Sequence, residues 1–282
     1  MGRPAPPAHR YALAIATFRP RLIATDLDGT LLRPDATLSE RTARALARAA
    51  AAGIPVVPVT ARPLRWLDQY TFLRDARYVI FANGAVIYDA ATGTVATRHH
   101  LAVDLLAEVI AAVRAAVPGA VFAVETDDGW RMRHDVTYPL RSDAGKPGVA
   151  HIREPAELVA APAVKLLVKE PSWVPDELLA AVGVAVGGLA EVTMSAPYGL
   201  VEVAGGGVTK ATGLAEVAAA LGVPAADVVA FGDMPNDVPM LAWAGYGVAV
   251  ENAHPSVREV ADEVTASNAE DGVAAWIETA LG

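Results

Sequence analysis

At 282 residues, 53% hydrophobic and 20% charged, the chain has room for two compact units and is too apolar for a disordered one. Its 23 basic and 32 acidic residues leave a net charge of −9 with no basic run, which argues against a polyanion-binding surface and so against nucleic acid as a partner. Cysteine is absent, so disulfides, thiolate metal sites and cysteine nucleophiles are excluded, and any metal must be held by oxygen or imidazole.

Residues 1–20, rich in Pro, Ala and Arg, read as a loose leader. The apolar stretch at 11–16 is too short to span a bilayer and lacks the core and cleavage site of a signal peptide. No stretch reaches the roughly 20 apolar residues of a membrane helix, so a cytoplasmic protein without a membrane partner is expected.

Residues 21–25 form an apolar run that stops abruptly at Asp26-Leu27-Asp28-Gly29-Thr30, the pattern of a buried strand emptying into a loop. A helix is predicted next, with Ser39 as N-cap, Leu38 placed to staple onto Ala43 and Gly53 as the stop; Ala43, Leu46, Ala47 and Ala50 fall at helical spacing. Residues 54–59 read as a second strand in spite of Pro55 and Pro58, and it ends at Thr60-Ala61-Arg62. A third, 78–81, runs into Ala82-Asn83-Gly84. This rhythm is that of a parallel α/β sheet, in which ligands bind beyond the C-terminal ends of the strands.

From 86 to 190 the texture changes to hairpin-like segments at 86–98, 121–134 and 164–169, with helical stretches at 102–116 and near 175–182. The α/β rhythm then resumes with a helix over 210–221, a strand at 228–231, a helix around 238–244 and a strand at 247–249. The expected fold class is α/β: a Rossmann-like, three-layer parallel-sheet core made of 21–85 and 191–282, with an α+β cap domain, 86–190, inserted into it.

Phe231-Gly232-Asp233-Met234-Pro235-Asn236-Asp237 repeats the logic of the first loop: an apolar strand stops, a glycine follows, then carboxylates. Neighbouring strand ends share one crevice, so Asp26, Asp28, Asp233 and Asp237 are placed to converge. Such a cluster repels itself, and a hard divalent cation is the simplest remedy. All-oxygen donors suit magnesium better than zinc. Lys210 offers a second positive charge, although a lysine that opens a helix opposes the helix dipole unless an anion lies close by.

Taken in order, four segments resemble the motifs of the haloacid dehalogenase-like superfamily, in its Cof-type phosphatase branch (subfamily IIB). They are Asp26-Leu27-Asp28-Gly29-Thr30, Thr60 in Val59-Thr60-Ala61-Arg62, Lys210 in Gly207-Val208-Thr209-Lys210, and Gly232-Asp233-Met234-Pro235-Asn236-Asp237. The resemblance implies a Mg2+-dependent hydrolase of small phosphorylated metabolites, such as a sugar phosphate or a nucleotide. In it Asp26 is the nucleophile that forms an aspartyl-phosphate, and Asp28 is the general acid and then base. Thr60 and Lys210 bind the phosphoryl group and stabilise its charge. The metal ligands implied are Asp26, the Asp28 carbonyl and Asp233, with Asp237 and Asn236 near the waters.

Ala61, Arg62, Asn83 and Gly84, at strand ends, join Thr60, Lys210 and Asn236 as substrate-binding candidates; plain turn chemistry is the competing reading for Asn83 and Gly84, and a surface or ion-pair role for Arg62. In the cap, Arg131, Arg133, His134, Arg141 and Lys165 are candidates for leaving-group recognition, against the solvent face of a strand as the plainer reading for Arg131 and Arg133. Trp66, Trp130 and Trp173 read as packing residues. A phosphotransferase or phosphomutase of the same superfamily, or a binding protein whose catalysis has lapsed, are the rival functions. No heptad, terminal arm or isolated apolar stripe indicates an oligomeric state.

Overall fold

The computed structural model describes residues 18–140 and 143–282; residues 1–17 of the expected leader, and the cap candidate Arg141, lie outside the described residues. The chain begins with β1 (Leu22–Thr25), α1 (Glu40–Ala51), β2 (Val56–Pro58), β3 (Tyr78–Phe81), β4 (Val86–Asp89) and β5 (Thr94–Arg98). It continues through α2 (Val103–Ala116), β6 (Val121–Thr126), β7 (Arg131–His134), β8 (Val149–His151), β9 (Ala163–Lys169), α3 (Pro175–Val186), β10 (Glu191–Met194) and β11 (Val201–Ala204). It closes with α4 (Lys210–Ala220), β12 (Val228–Gly232), α5 (Val238–Trp243), β13 (Tyr246–Val250), α6 (Pro255–Val260), β14 (Glu263–Thr265) and α7 (Gly272–Leu281).

The core sheet is parallel, in the order β14-β13-β12-β1-β2. Every residue of β1, β12 and β13 is buried, which is why these runs are apolar without alternation: helices cover both faces. Trp276 of α7 sits edge-on to Phe231 of β12, with ring centroids 5.3 Å apart. β3 joins beyond β2 through one parallel bridge, Val59 to Ile80, and then pairs antiparallel with β4, which pairs with β5.

α1 is capped as expected, the Ser39 side chain accepting from the Thr42 amide. Its buried face is different. Thr42, Ala45 and Ala49 are buried, whereas Ala43, Ala47 and Ala50 are exposed and Leu46 is half-buried. Arg41, Arg44 and Arg48 mark the outer side of the helix, but alanines lie on both sides, so alanine spacing alone does not pick out the buried face. Pairing with α7 sets the rotation instead, through Arg41 Nη2 to Glu278 Oε2 at 2.6 Å and Arg48 Nη2 to the Gly282 carbonyl at 2.8 Å.

The cap is a six-stranded sheet, β10-β11-β9-β6-β7-β8, with α2 and α3 on one face. Its strands alternate cleanly. Phe122, Val124, Leu166, Val168, Val201 and Val203 pack beneath Leu106, Val109, Leu178 and Val182 of the helices. The residues between them turn to the other face, toward the core.

Two expected boundaries move. The β4–β5 hairpin belongs with the core, where Val86 and Ile87 are buried. Residues 191–204, expected in the core, supply β10 and β11, which extend the cap sheet antiparallel from β9. The cause is long-range pairing, Glu202 opposite Leu167 and Val203 opposite Leu166, which no local pattern displays. The cap therefore starts after Arg98 and ends with Ala204. Its two connections to the core run side by side: a Cβ placed on Gly205 would lie 3.7 Å from the His100 carbonyl oxygen. No helix among the described residues is long and apolar enough to cross a membrane.

Candidate active site

Parallel pairing aligns the strand ends. The Asp26 amide donates to the Phe231 carbonyl (3.0 Å), the Val59 amide to Thr25 (2.8 Å), the Thr60 amide to Ile80 (2.8 Å) and the Asn83 amide to Thr60 (3.1 Å). The loops after β1, β2, β3 and β12 thus leave the sheet at one edge, and Lys210 reaches them from the start of α4. One carboxylate oxygen from each of Asp26, Asp233 and Asp237 lies within 4.8 Å of the others, and all three residues are buried.

Lys210 is the first residue of α4 and is only 1% exposed. Its Nζ donates to Asp26 Oδ1 at 2.5 Å and to Asp237 Oδ1 at 2.6 Å, which supplies the anion that its position on the helix demanded. Burial works against the charged amine, but Asp237 and Asp26 outweigh it and the Lys210 pKa rises. The carboxylates remain in excess. Burial pushes the Asp26 carboxyl well above its ordinary range; Lys210 opposes that shift, while Asp237, Asp233 and Asp28 add to it. Asp233 is raised to about 7, by burial first and then Asp237, against the hydrogen bond from Thr30. Three buried carboxylates facing one ammonium carry the charge deficit that one divalent cation balances, and the donors are all oxygen, so the residues fit magnesium.

The other loop contacts are specific. Thr30 Oγ1 donates to Asp233 Oδ1 at 2.8 Å, and the amides of Asp233 and Met234 both donate to Asp237 Oδ2 at 3.0 Å. Asp237 is thereby a clamp of its own loop, both of its oxygens engaged. Gly29, at φ +81°, is required, because a Cβ there would run into the Asp233 carboxylate.

Asp28 does not join the three-carboxylate group among the described residues: Arg62 Nε and Nη2 hold both of its carboxylate oxygens. The Arg62 guanidinium stacks over Trp66 and Tyr70, at 4.3 and 4.7 Å from the ring centroids, and its buried Nη1 has no hydrogen-bond partner among the described residues. Asn83 Nδ2 donates to Glu202 Oε2 at 2.8 Å, and Asn236 Nδ2 donates to Asn83 Oδ1 at 3.0 Å, so Asn83 joins the cap to the carboxylate loop. Ala82, Asn83 and Gly84 all have positive φ, 49°, 57° and 102°, a strained turn of the kind that clusters at functional sites.

A cleft of about 790 Å³ between core and cap is lined by Asp26, Asp28, Ala61, Arg62, Asp233 and Asn236 on the core side. Thr60, Gly84, Lys210 and Asp237 lie buried behind that wall. Thr60 Oγ1 accepts from the Arg62 amide at 3.1 Å, which leaves its proton to donate elsewhere. Of the cap candidates, Lys165 lines the cleft, whereas Arg131 pairs with Asp127 and Arg133 with Glu157. His134 bonds to the Asp135 carbonyl. Of the tryptophans expected to pack, Trp66 is buried but also lines the cleft, its Nε1 reaching Asp143 at 3.1 Å, whereas Trp130 and Trp173 are exposed.

Sequence reasoning missed Glu125, Glu202 and Arg65. Lys165 and Glu202 each interrupt an apolar strand, and a charge in such a run needs a partner on a neighbouring strand; that was the available signal. For Arg65 there was none.

The approach of α4 rests on two glycines. A Cβ on Gly84 would collide with the Thr209 carbonyl, and one on Gly213 would stand 2.9 Å from Gly84 Cα. Gly84→Ala is expected to lower the unfolding free energy by about 3 kcal/mol and to reduce activity with it, by displacing Lys210. A urea melt showing a loss below about 1 kcal/mol would mean that the contact relaxes freely.

A parallel sheet with carboxylates at two adjacent strand ends, a buried lysine between them and an inserted α/β cap define a haloacid dehalogenase-type hydrolase. The profile of the haloacid dehalogenase-like hydrolase family matches residues 23–277, and the chain belongs to that family, in its Cof-type branch of phosphatases. It is 31% identical over 275 residues to the 5-amino-6-(5-phospho-D-ribitylamino)uracil phosphatase YitU of Bacillus subtilis (strain 168), covering 92% of this chain and 97% of that one. It is 30% identical to the pyridoxal phosphate phosphatase YbhA of Escherichia coli (strain K12), covering 91% and 97%. Among solved structures it is similar to a haloacid dehalogenase-like hydrolase from B. subtilis, with TM-score 0.78 and 26% identity over 92% of this chain and 99% of that one.

Proposed function

We propose that this phosphatase hydrolyses the phosphomonoester of a small metabolite through a phosphoryl group carried on Asp26, with Mg2+ held by Asp26, the Asp28 carbonyl and Asp233. The observation that carries the reading is Lys210 bonded at once to Asp26 and Asp237 within the three-carboxylate group. Lys210 takes Oδ1 of Asp26 and leaves Oδ2 for in-line attack on phosphorus. Bound Mg2+ supplies charge neutralisation for carboxylates and phosphate together. Arg62 Nη1 and the Thr60 hydroxyl donate to phosphoryl oxygens.

Arrival of the phosphate competes for Arg62 and frees Asp28 from its pair. Once freed, Asp28 takes up a proton from solvent, gives it to the leaving oxygen and later takes one from the attacking water. Asp237 and Asn236 position the loop that carries Asp233. YitU and YbhA are named for chemically different leaving groups, so neither substrate transfers to this chain by likeness alone.

The test is phosphate release across a panel of sugar phosphates, nucleotides and para-nitrophenyl phosphate, with Mg2+ and with EDTA. Release that depends on Mg2+ supports the reading, and none from any member would sink it. A second measurement needs no turnover. Because the cation binds only the folded state, 10 mM Mg2+ is expected to raise the melting temperature of the wild type by several degrees, and to leave Asp233→Asn unmoved. Equal shifts in both proteins would place the cation elsewhere.

A further inference from the structure

The cap face of the cleft carries a carboxylate with unused acceptor capacity. Glu125, in β6, is 1% exposed yet lines the cleft. Its Oε1 accepts from Arg65 Nη2 at 3.0 Å, but its buried Oε2 has no hydrogen-bond partner among the described residues.

The nearby cations are committed. Lys165 stands directly opposite Glu125 across the β6–β9 pair, yet its Nζ is 3.8 Å from Oε2 and bonds at 2.5 Å to both Glu202 Oε1 and the Ala61 carbonyl. Burial disfavours the Lys165 charge, and Glu202 with Glu125 more than restores it. Arg65 divides itself among Glu125, Asp143 (3.0 Å) and the Gly129 carbonyl (3.1 Å). Lys146, over the Trp66 ring and beside Asp143, completes three cations for the three carboxylates Glu125, Glu202 and Asp143, so it is geometry and not a shortage of positive charge that leaves Oε2 without a donor. A buried acceptor left without a donor is costly, and a ligand that brings a donor recovers that cost.

We infer that Glu125 is a specificity-determining residue whose Oε2 accepts a hydrogen bond from a hydroxyl or amino group of the leaving group, so that the substrate is a polyol or amino phosphomonoester with no second anionic group at the cap end. The inference rests on the phosphatase reading above. Its logic is that a site built to accept a hydrogen bond discriminates strongly against an analogue lacking the donor, because the acceptor is then left buried and unpaired. An anionic group at the same place brings no donor and faces the charge on Oε2 itself.

The test holds the carbon frame constant. Purified enzyme with Mg2+ is assayed on pentyl phosphate, ribitol 5-phosphate, 5-aminopentyl phosphate and 5-phosphopentanoate, beside para-nitrophenyl phosphate. Ribitol 5-phosphate, 5-aminopentyl phosphate or both are expected to exceed pentyl phosphate at least tenfold in kcat/KM, mainly through KM, and 5-phosphopentanoate to fall below it; the two donor-bearing arms separate hydroxyl from ammonium recognition. Glu125→Gln keeps an oxygen for Arg65 but sets an amide donor where Oε2 stood. It is expected to cut the advantage of the preferred donor-bearing substrate over pentyl phosphate at least fivefold and to raise 5-phosphopentanoate.

Wild-type rates equal within twofold across the four frame-matched substrates, or a Gln variant that keeps the full preference, would overturn the inference while release from para-nitrophenyl phosphate leaves the phosphatase reading standing. No release from any of the five overturns both. If Glu125→Gln melts far below the wild type, the wild-type series alone decides.

Discussion

Asp26→Asn is expected to abolish phosphate release, by at least roughly a thousandfold in kcat, while the metal-free protein melts no lower than the wild type at pH 7. Asparagine matches aspartate in shape, so Lys210 keeps a neighbouring oxygen, but the amide is no nucleophile. The stability half follows from the raised Asp26 pKa. A carboxyl whose folded pKa lies above its unfolded value binds its proton more tightly in the fold, so its contribution declines as pH rises from near 4 through the raised value. Removing the charge removes that decline. Turnover within tenfold of the wild type would eliminate Asp26 as the phosphoryl carrier, and a large drop in melting temperature would mean that the lost ion pair outweighs the relieved repulsion.

Lys210→Met should cost both activity and stability. Met fills similar volume but leaves Asp26 and Asp237, 7% and 0% exposed at the side chain, without their ammonium. Removing one partner of a buried ion pair typically costs about 3–5 kcal/mol, and the lost transition-state charge about a hundredfold or more in kcat. The stability loss should shrink at pH 5, as the orphaned Asp26, already raised by burial, takes up a proton. It should also be smaller in the double variant Lys210→Met with Asp26→Asn than in Lys210→Met alone, a non-additivity readable in urea melts. Strict additivity would mean that the two residues do not interact.

The gathering of Asp26, Asp233 and Lys210 was legible because its signals are local. Apolar runs that break at Asp26 and Asp233 announce strand ends, and a lysine opening a helix at 210 asks for an anion. What escaped was decided across distance. The clasp of Arg62 on Asp28 spans two loops, and the Lys165–Glu202 pair joins strands that are antiparallel neighbours only in the folded cap. The face of α1 escaped for a different reason: its alanines lie on both sides, and the arginines at 41, 44 and 48, which mark the outer one, are the better guide. The cap boundary failed where β10 and β11 chose β9 over the core, a choice made by pairing and not by composition.

The paired connections near His100 and Gly205 make the cap a module that enters and leaves the core through one narrow doorway. A segment whose two ends lie together can be exchanged with only two breaks in the chain, provided the contacts of Asn83 with Glu202, Ala61 with Lys165 and Arg65 with Glu125 are kept. A chimera that grafts a relative's cap between Arg98 and Gly205, with those contacts preserved, is the exchange this architecture most readily tolerates.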